Sequence, residues 1–271
     1  LVNQGHQVTV ITPTPENQGL SLLEEQLDGV LVWRFQSGPI KGVGKITRAL
    51  NESLLSHNAW RAIKRQVKED TFDGVIYYSP SIFFGSLVAK LKNRCKCKSF
   101  LVLRDFFPQW AVDSGIIRKG SLIERYFKLH ETVSYESADA IGVMSQLNLE
   151  IFNRQTSNRF DARILRNWAN ITPHQISKNS PNVRRDLKLG EKVVYFYGGN
   201  IGHAQDMTNL MRLARSMQQY EGAHFLFVGQ GDQVQLILKL AADWNLKNFS
   251  YLPSVSQEHF RDILCQVDIG L

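Results

Sequence analysis

The sequence predicts an α/β protein built from two doubly wound parallel sheets in tandem. Three observations carry that expectation. Short apolar runs rich in β-branched and aromatic residues alternate with longer segments of helical periodicity. A polar stretch at residues 170–181, with two prolines, interrupts the alternation, which then restarts. Beyond the break, successive strand candidates run straight into turns of small residues. Strand–helix alternation with short connections implies parallel strands covered by helices on both faces.

In the first half, strands are expected at residues 8–12, 31–35, 74–78, 99–103, 140–143 and 163–165. Helices are expected at 46–69, 82–92 and 122–137. In the last of these, Leu122, Tyr126, Leu129 and Val133 recur every three to four residues, which predicts that they form its buried face. In the second half, strands at 193–197, 224–228, 249–252 and from 268 onward alternate with helices at 207–219, 233–244 and 257–266. The predicted division is a first domain at 1–169, a linker at 170–184 and a second domain at 185–271. Gly5 after a short apolar stretch reads as a helix end feeding a strand, and the last residues read as a strand barely begun. Both ends are therefore expected to be cut, with an earlier strand before Leu1.

Composition narrows the class. The 271 residues are 43% hydrophobic and 21% charged, ordinary for a globular chain and against wholesale disorder. The longest apolar run, residues 75–89, is interrupted by Ser79, Pro80, Ser81 and Gly85 and is shorter than the roughly 20 residues of a spanning helix, so a water-soluble chain is expected. Three cysteines, two of them Cys95 and Cys97, make no disulfide framework and point to a reducing, cytoplasmic setting. They also lack metal-site spacing, so no metal is expected.

The net charge of +7 is concentrated in the first half: 22 basic and 16 acidic residues through Trp168, against 10 and 9 after it. Arg61, Lys64, Arg65 and Lys68 form one basic cluster, and Lys90, Lys92, Arg94, Lys96 and Lys98 another. Such clusters suit a solvated face or an anionic surface such as phospholipid. No helix-turn-helix or zinc-finger spacing accompanies them, which argues against a nucleic-acid partner.

The richest segment is Tyr197-Gly198-Gly199-Asn200-Ile201-Gly202-His203, where a buried strand enters a glycine turn and then a helix. Glycines let backbone approach a ligand, and helix N-termini favour phosphate. The next strands end at Gly229-Gln230-Gly231 and at Pro253-Ser254-Val255-Ser256. Three such loops in succession describe the ligand rim of an open α/β sheet.

These turns, in order and spacing, resemble the donor domain of family 4 glycosyltransferases with the GT-B fold. The first half resembles the same family through Gly5-His6-Gln7-Val8-Thr9-Val10, Arg104-Asp105-Phe106-Phe107-Pro108, Ser137-Ala138-Asp139-Ala140-Ile141 with Ser145, and Leu165-Arg166-Asn167-Trp168. The nearest subgroup is the bacterial transferases that build O-antigen, capsule or colanic-acid-like polysaccharides. The resemblance implies two Rossmann-like domains facing a cleft, and retaining, metal-independent transfer from a nucleotide-diphosphate-sugar to a lipid-linked or glycan acceptor. It places Gly198, Gly199, Asn200, Gly202 and His203 at the donor diphosphate or sugar. Gly229, Gln230 and Gly231 would flank the nucleotide, and Pro253 and Val255 would receive the base. Arg104 and Asp105 would serve catalysis, with Ser145 and Asn167 on the acceptor side. Peripheral contact of the basic first domain with an anionic membrane also follows from the analogy.

Two departures stand out. Ile201, His203 and Gln205 occupy the place where many family members carry an Arg and a Lys that grip the diphosphate. The family's Glu-x7-Glu element would lie beyond Asp268, so these 271 residues alone are expected not to turn over. Each assigned residue also has a plainer reading: Asp105 as a cap before Pro108, Asn167 as a left-handed turn, Asp139 as structure. A nucleotide-sugar 2-epimerase of the same fold and a non-catalytic glycan-precursor-binding relative are the alternatives.

Overall fold

A computed structural model describes residues 1–14, 21–40, 42–79, 81–169, 171–176 and 181–271. It separates into two compact units, Leu1–Trp168 and Ala169–Leu271.

The first unit contains β1 (Val8–Thr14), β2 (Leu22–Leu27), β3 (Val30–Gln36), α1 (Lys45–Ser53), α2 (Leu55–Ile63), β4 (Gly74–Ser79), α3 (Gly85–Cys95), β5 (Lys98–Leu103), α4 (Gln109–Asp113), α5 (Leu122–Glu136), β6 (Ala140–Val143), α6 (Gln146–Thr156) and β7 (Ala162–Ile164). Strands β4-β5-β6-β7 form a parallel sheet in sequence order, and β1 pairs in parallel with β3. Every strand expected in this half is present. One was not expected: β2 runs antiparallel to β3. Asp28 and Gly29 both take positive φ at the hairpin tip, the Asp-Gly turn that suits a two-residue loop. Two apolar clusters fill the unit, one of Trp33, Phe35, Leu55, Ile63, Leu87 and Leu91, the other including Tyr77, Leu101, Ile141, Val143 and Phe152.

Two helix expectations change. The single helix expected at 46–69 is two, α1 and α2, with Leu54 between them and turns after Ile63. Ser56 fixes the start of α2, donating to the Phe83 carbonyl and accepting from the Leu87 N–H. The buried face expected for α5 is also wrong. Leu122, Tyr126 and Leu129 are exposed, whereas Glu124, Ser134 and Tyr135 are buried. The cause is the crossing with α3. A side chain at Gly85 would sit 2.7 Å from the Ser134 backbone, so small residues let the two helices touch. Ser137 donates to the Gly85 carbonyl and Tyr77 to that of Ser134. At the other end, Glu124 accepts from Gly120 N–H at 2.5 Å and pairs with Lys128 at 2.9 Å.

The second unit contains α7 (Val183–Asp186), β8 (Val193–Asn200), α8 (Met207–Ser216), β9 (Ala223–Gln230), α9 (Val234–Asp243), β10 (Phe249–Leu252), α10 (Gln257–Leu264) and β11 (Ile269–Gly270). Its sheet has the order β10-β9-β8-β11, all parallel. Strand β9 shows why the sheet is covered on both faces. Phe225 and Phe227 pack with Ile201, Met207, Met211 and Ile237, while Leu226 and Val228 pack with Val194, Phe196 and Ile263. Truncating such a fully buried Phe costs about 3–5 kcal/mol.

The segment between the units belongs partly to the second. Residues 170 and 177–180 lie outside the described set. Around them, His174 bonds Asp262 at 2.7 Å, and Val183, inside the expected linker, is buried in the second core. Arg184 then donates to the carbonyls of Gln266, Gly190 and Lys192 and to the Asp268 carboxylate, which itself accepts from Val194 N–H.

Asp139 is structural. Its carboxylate takes Ser99 N–H at 2.8 Å and Lys92 at 2.8 Å, tying the starts of β5 and β6 to α3. The Lys92 ammonium and the Ser99 donors hold its carboxyl well below the ordinary carboxylate value. Asp139→Asn is expected to cost about 1–3 kcal/mol at neutral pH. Because folding lowers this pKa, the contribution is present above the ordinary value of 3.8 and fades as pH falls below it. Urea denaturation of both proteins across that range checks this: the gap between them should close toward low pH.

Candidate active site

The C-terminal ends of β8, β9 and β10 carry the three small-residue turns side by side. Registers Gly199↔Gly229 and Asn200↔Gln230 continue the β8–β9 pairing into the turns. Ile201, fully buried, then donates to the Gln230 carbonyl at 2.9 Å and accepts from Gln233 N–H at 3.0 Å. The glycines are demanded by this approach. A side chain at Gly229 would strike the Gly199 carbonyl, and one at Gly231 the Ile201 carbonyl. Gly198 has the same constraint from below, where a Cβ would lie 2.5 Å from the rings of Phe196 and Phe260.

Side chains complete the stitching. The Tyr197 hydroxyl donates to the Asn200 carbonyl at 2.6 Å, and burial raises that phenol above its ordinary value, keeping the proton in place. Tyr251 donates to the Gly229 carbonyl at 3.0 Å, and Ser254 to Gln230 Oε1 at 3.1 Å. Asp232 accepts from His203 N–H at 3.2 Å. Asp206 caps α8, accepting from Asn209 N–H. Gly199, Asn200, His203, Gln230, Gly231, Pro253, Ser254 and Val255 are left exposed along this edge, while Gly202 and Gly229 are buried beneath it. The surface on offer is thus backbone and neutral polar side chains, with one imidazole as its basic group and Asp206 and Asp232 already engaged by backbone N–H groups.

In the first unit, Arg104 and Asp105 follow β5. The Arg104 guanidinium lies 5.8 Å from the centre of the Tyr78 ring, a cation–π contact with the end of β4. The Asp105 carboxylate is exposed; it is the residue's backbone carbonyl that accepts, from the Ser79 hydroxyl at 3.4 Å. No side chain caps α4, so the capping role offered for Asp105 is not what it does. Ser145 caps α6, accepting from Asn148 N–H at 3.1 Å and donating to Asn148 Oδ1. Asn167 is exposed and is not among the left-handed residues.

No protein-family model matches the chain. WcaI of Escherichia coli (strain K12), named as a colanic acid biosynthesis glycosyl transferase, is 22% identical over all of this chain and 69% of its own length. WbjE of Pseudomonas aeruginosa, named as a glycosyltransferase, is 26% identical over 63% of this chain and 43% of its own length. Among solved structures, that of E. coli trehalose-6-phosphate bound with UDP-2-fluoro glucose superposes with a TM-score of 0.69 at 9% identity, covering 97% of this chain and 70% of that one.

This is the GT-B glycosyltransferase fold. In sequence the chain resembles bacterial polysaccharide glycosyltransferases, as its motifs imply, and it spans 43% and 69% of the two relatives' lengths.

Within the GT-B frame, the donor-side residues read from sequence do converge: Gly198 to His203, Gly229 to Gly231, Pro253 and Val255 share one sheet edge. Arg104, Asp105, Ser145 and Asn167 stand on three separate loops of the first unit, after β5, β6 and β7. Sequence reasoning assigned no role to Tyr197, Asp232 and Tyr251, which hold the turns together. A signal existed, since an aromatic with a polar tip at the end of a buried strand needs a hydrogen-bond partner there.

Gly229→Ala or Gly231→Ala must push the two turns apart, at an expected cost of about 2 kcal/mol or more. Gly222→Ala, where a Cβ meets open space, should stay within about 0.5 kcal/mol. Thermal unfolding of the three variants checks the contrast.

Proposed function

We propose that the protein is a retaining glycosyltransferase of bacterial cell-surface glycan assembly. It moves a sugar from a nucleotide-diphosphate-sugar to a lipid-linked or polysaccharide acceptor. The observation that carries this reading is the edge formed by the turns after β8, β9 and β10, on a fold shared with a protein bound to UDP-2-fluoro glucose. The names of the relatives, one of colanic acid biosynthesis, support the glycan class.

In this reading the exposed backbone of Gly199, Asn200 and Gly231, with His203, faces the donor diphosphate or sugar. Backbone donors preorganised in this way lower the barrier because they need no reorganisation as charge develops on the leaving diphosphate. No metal is required of such a site. The edge beside Gln230, Pro253 and Val255 receives the nucleotide. Arg104 and Asp105 act on the transferred sugar or the acceptor, and Ser145 and Asn167 line the acceptor side. Ser145 does so less directly, because its hydroxyl is already occupied in capping α6.

The test uses the full-length protein and a panel of uridine, guanosine, adenosine and thymidine diphosphates in titration calorimetry. One of them is expected to bind, and His203→Ala and Gln230→Ala should each weaken it about three- to tenfold. Arg104→Ala and Asp105→Asn should leave that affinity unchanged and lower turnover by at least about a hundredfold. Transfer should survive chelation of divalent cations, and the product should keep the donor's anomeric configuration. Absence of binding by every nucleotide would refute the reading, and an inverted product would refute the retaining mechanism.

A further inference from the structure

Helices α5 and α6 leave between them a groove of about 320 Å³, which contains none of the residues assigned above to donor or acceptor. Its volume lies at the small end of the range for ligand sites. Spacings of three and four put Lys128, Glu131, Thr132 and Tyr135 on one face of α5, and Phe152, Gln155 and Thr156 on one face of α6. The floor is aromatic. Tyr135 meets Phe152 and Phe160 edge-on, with ring centres 5.2 and 5.7 Å apart. Phe152 in turn stacks on Phe106, the residue after Asp105.

The walls are polar, and their hydrogen bonds are only half used. One oxygen of Glu131 accepts from the Tyr135 hydroxyl at 2.8 Å. Among the described residues its other oxygen has no donor, and no cation lies within ion-pair distance of it. Burial lifts the Glu131 carboxyl above its ordinary value, which the Tyr135 bond and the charge of Lys128 only partly offset. The Gln155 amide is exposed and has no partner among the described residues. Thr132 and Thr156 donate to the carbonyls of Lys128 and Phe152, both at 2.8 Å, and each hydroxyl keeps its capacity to accept. At the rim Lys128 pairs with Glu124 and Arg159 with Glu136, each with N–H donors to spare.

This lining disfavours either sign of charge. A phosphate or carboxylate would meet the unpaired Glu131, and an ammonium ion would meet Lys128 and Arg159. A neutral ligand that both donates and accepts, with an apolar side to set against aromatic rings, satisfies every part of it. A pyranose has that composition, with hydroxyls around its edge and C–H groups on its face. We infer that the α5–α6 groove is a second carbohydrate site, which takes one neutral sugar unit of a glycan. Glu131 and Gln155 bond its hydroxyls, and Phe160 lies against its C–H face. The Phe106–Phe152 contact joins the groove floor to the loop of Arg104 and Asp105, so a glycan held there is anchored on the same unit as those residues. The inference goes beyond sugar transfer and does not depend on it, because a protein that binds glycans without transferring them would use the same groove.

The experiment is saturation-transfer NMR of the full-length protein with the methyl glycosides of glucose, galactose, fucose and N-acetylglucosamine. Spermidine and inorganic phosphate serve as charged probes. At least one glycoside is expected to bind, with saturation strongest on the protons of one ring face. Glu131→Gln, which keeps an acceptor for Tyr135 but turns the free oxygen into a donor, should weaken that binding about three- to tenfold, and Gln155→Ala by a similar factor. Both variants should unfold within a few degrees of the unaltered protein, and both should keep its nucleotide affinity, which separates this site from the edge at β8–β10. Should Glu131→Gln fold poorly, Gln155→Ala decides alone, since that side chain is exposed. Three results overturn the inference: no glycoside binds, glycoside binding is indifferent to both variants, or spermidine or phosphate binds in place of the glycosides and is lost in the variants.

Discussion

The edge formed by the turns after β8, β9 and β10 depends on one constraint: the backbone of the β8 turn must lie against the backbone of the β9 turn. Gly229 and Gly231 have no side chain because the carbonyls of Gly199 and Ile201 occupy that space. Once the turns touch, their N–H and C=O groups lose water and must satisfy one another. The bonds among Ile201, Gln230 and Gln233 do so, and Tyr251 and Ser254 extend the same stitching to the third turn. Glycine here serves the protein's own close packing first, and the exposed strip of backbone that a ligand could use is its by-product.

The two units handle their candidate residues differently. In the second, the edge is one hydrogen-bonded surface, so a change at Gly229 propagates to Tyr251 and through Asn200 to Tyr197. In the first, each residue answers to local demands: Arg104 to the Tyr78 ring, Ser145 to the first turn of α6. An edge built as a unit resists drift, whereas residues on separate loops can change one at a time. The fold supplies the scaffold, and the loops of the first unit leave the chemistry they carry free to vary.

Most of the strand framework was legible in the sequence because buried parallel strands leave a strong trace. Residues 225–228 of β9 are buried on both faces and read as a continuous apolar run. The glycine turns were equally legible, since their spacing repeats the strand register. The misreadings share a cause. On α5, apolar periodicity pointed to the wrong face because the helix packs through Ser134 and Ser137 over Gly85, small residues that carry little hydrophobic signal. The split between α1 and α2 was hidden because Leu54 continues the helical pattern. Strand β2, Leu-Leu-Glu-Glu-Gln-Leu, lacks strict alternation, and only Asp28-Gly29 marked its hairpin.

Charge shows the same difference between counting residues and placing them. The sequence located an excess of positive charge in the first half, and its densest cluster lies at residues 90–98. In the structure much of that cluster is engaged: Lys92 and Lys98 on Asp139, Arg94 on the Val67 carbonyl, and Lys90 and Arg94 over the Trp60 ring. Arg118, Lys119 and Arg125, which form no run in the sequence, are instead the cations that border exposed leucine and isoleucine. A cation beside a carboxylate has already spent much of its attraction for a distant anion. The surface that can recognise an anionic partner is therefore set by which charges the fold leaves unanswered, and by what apolar area they surround.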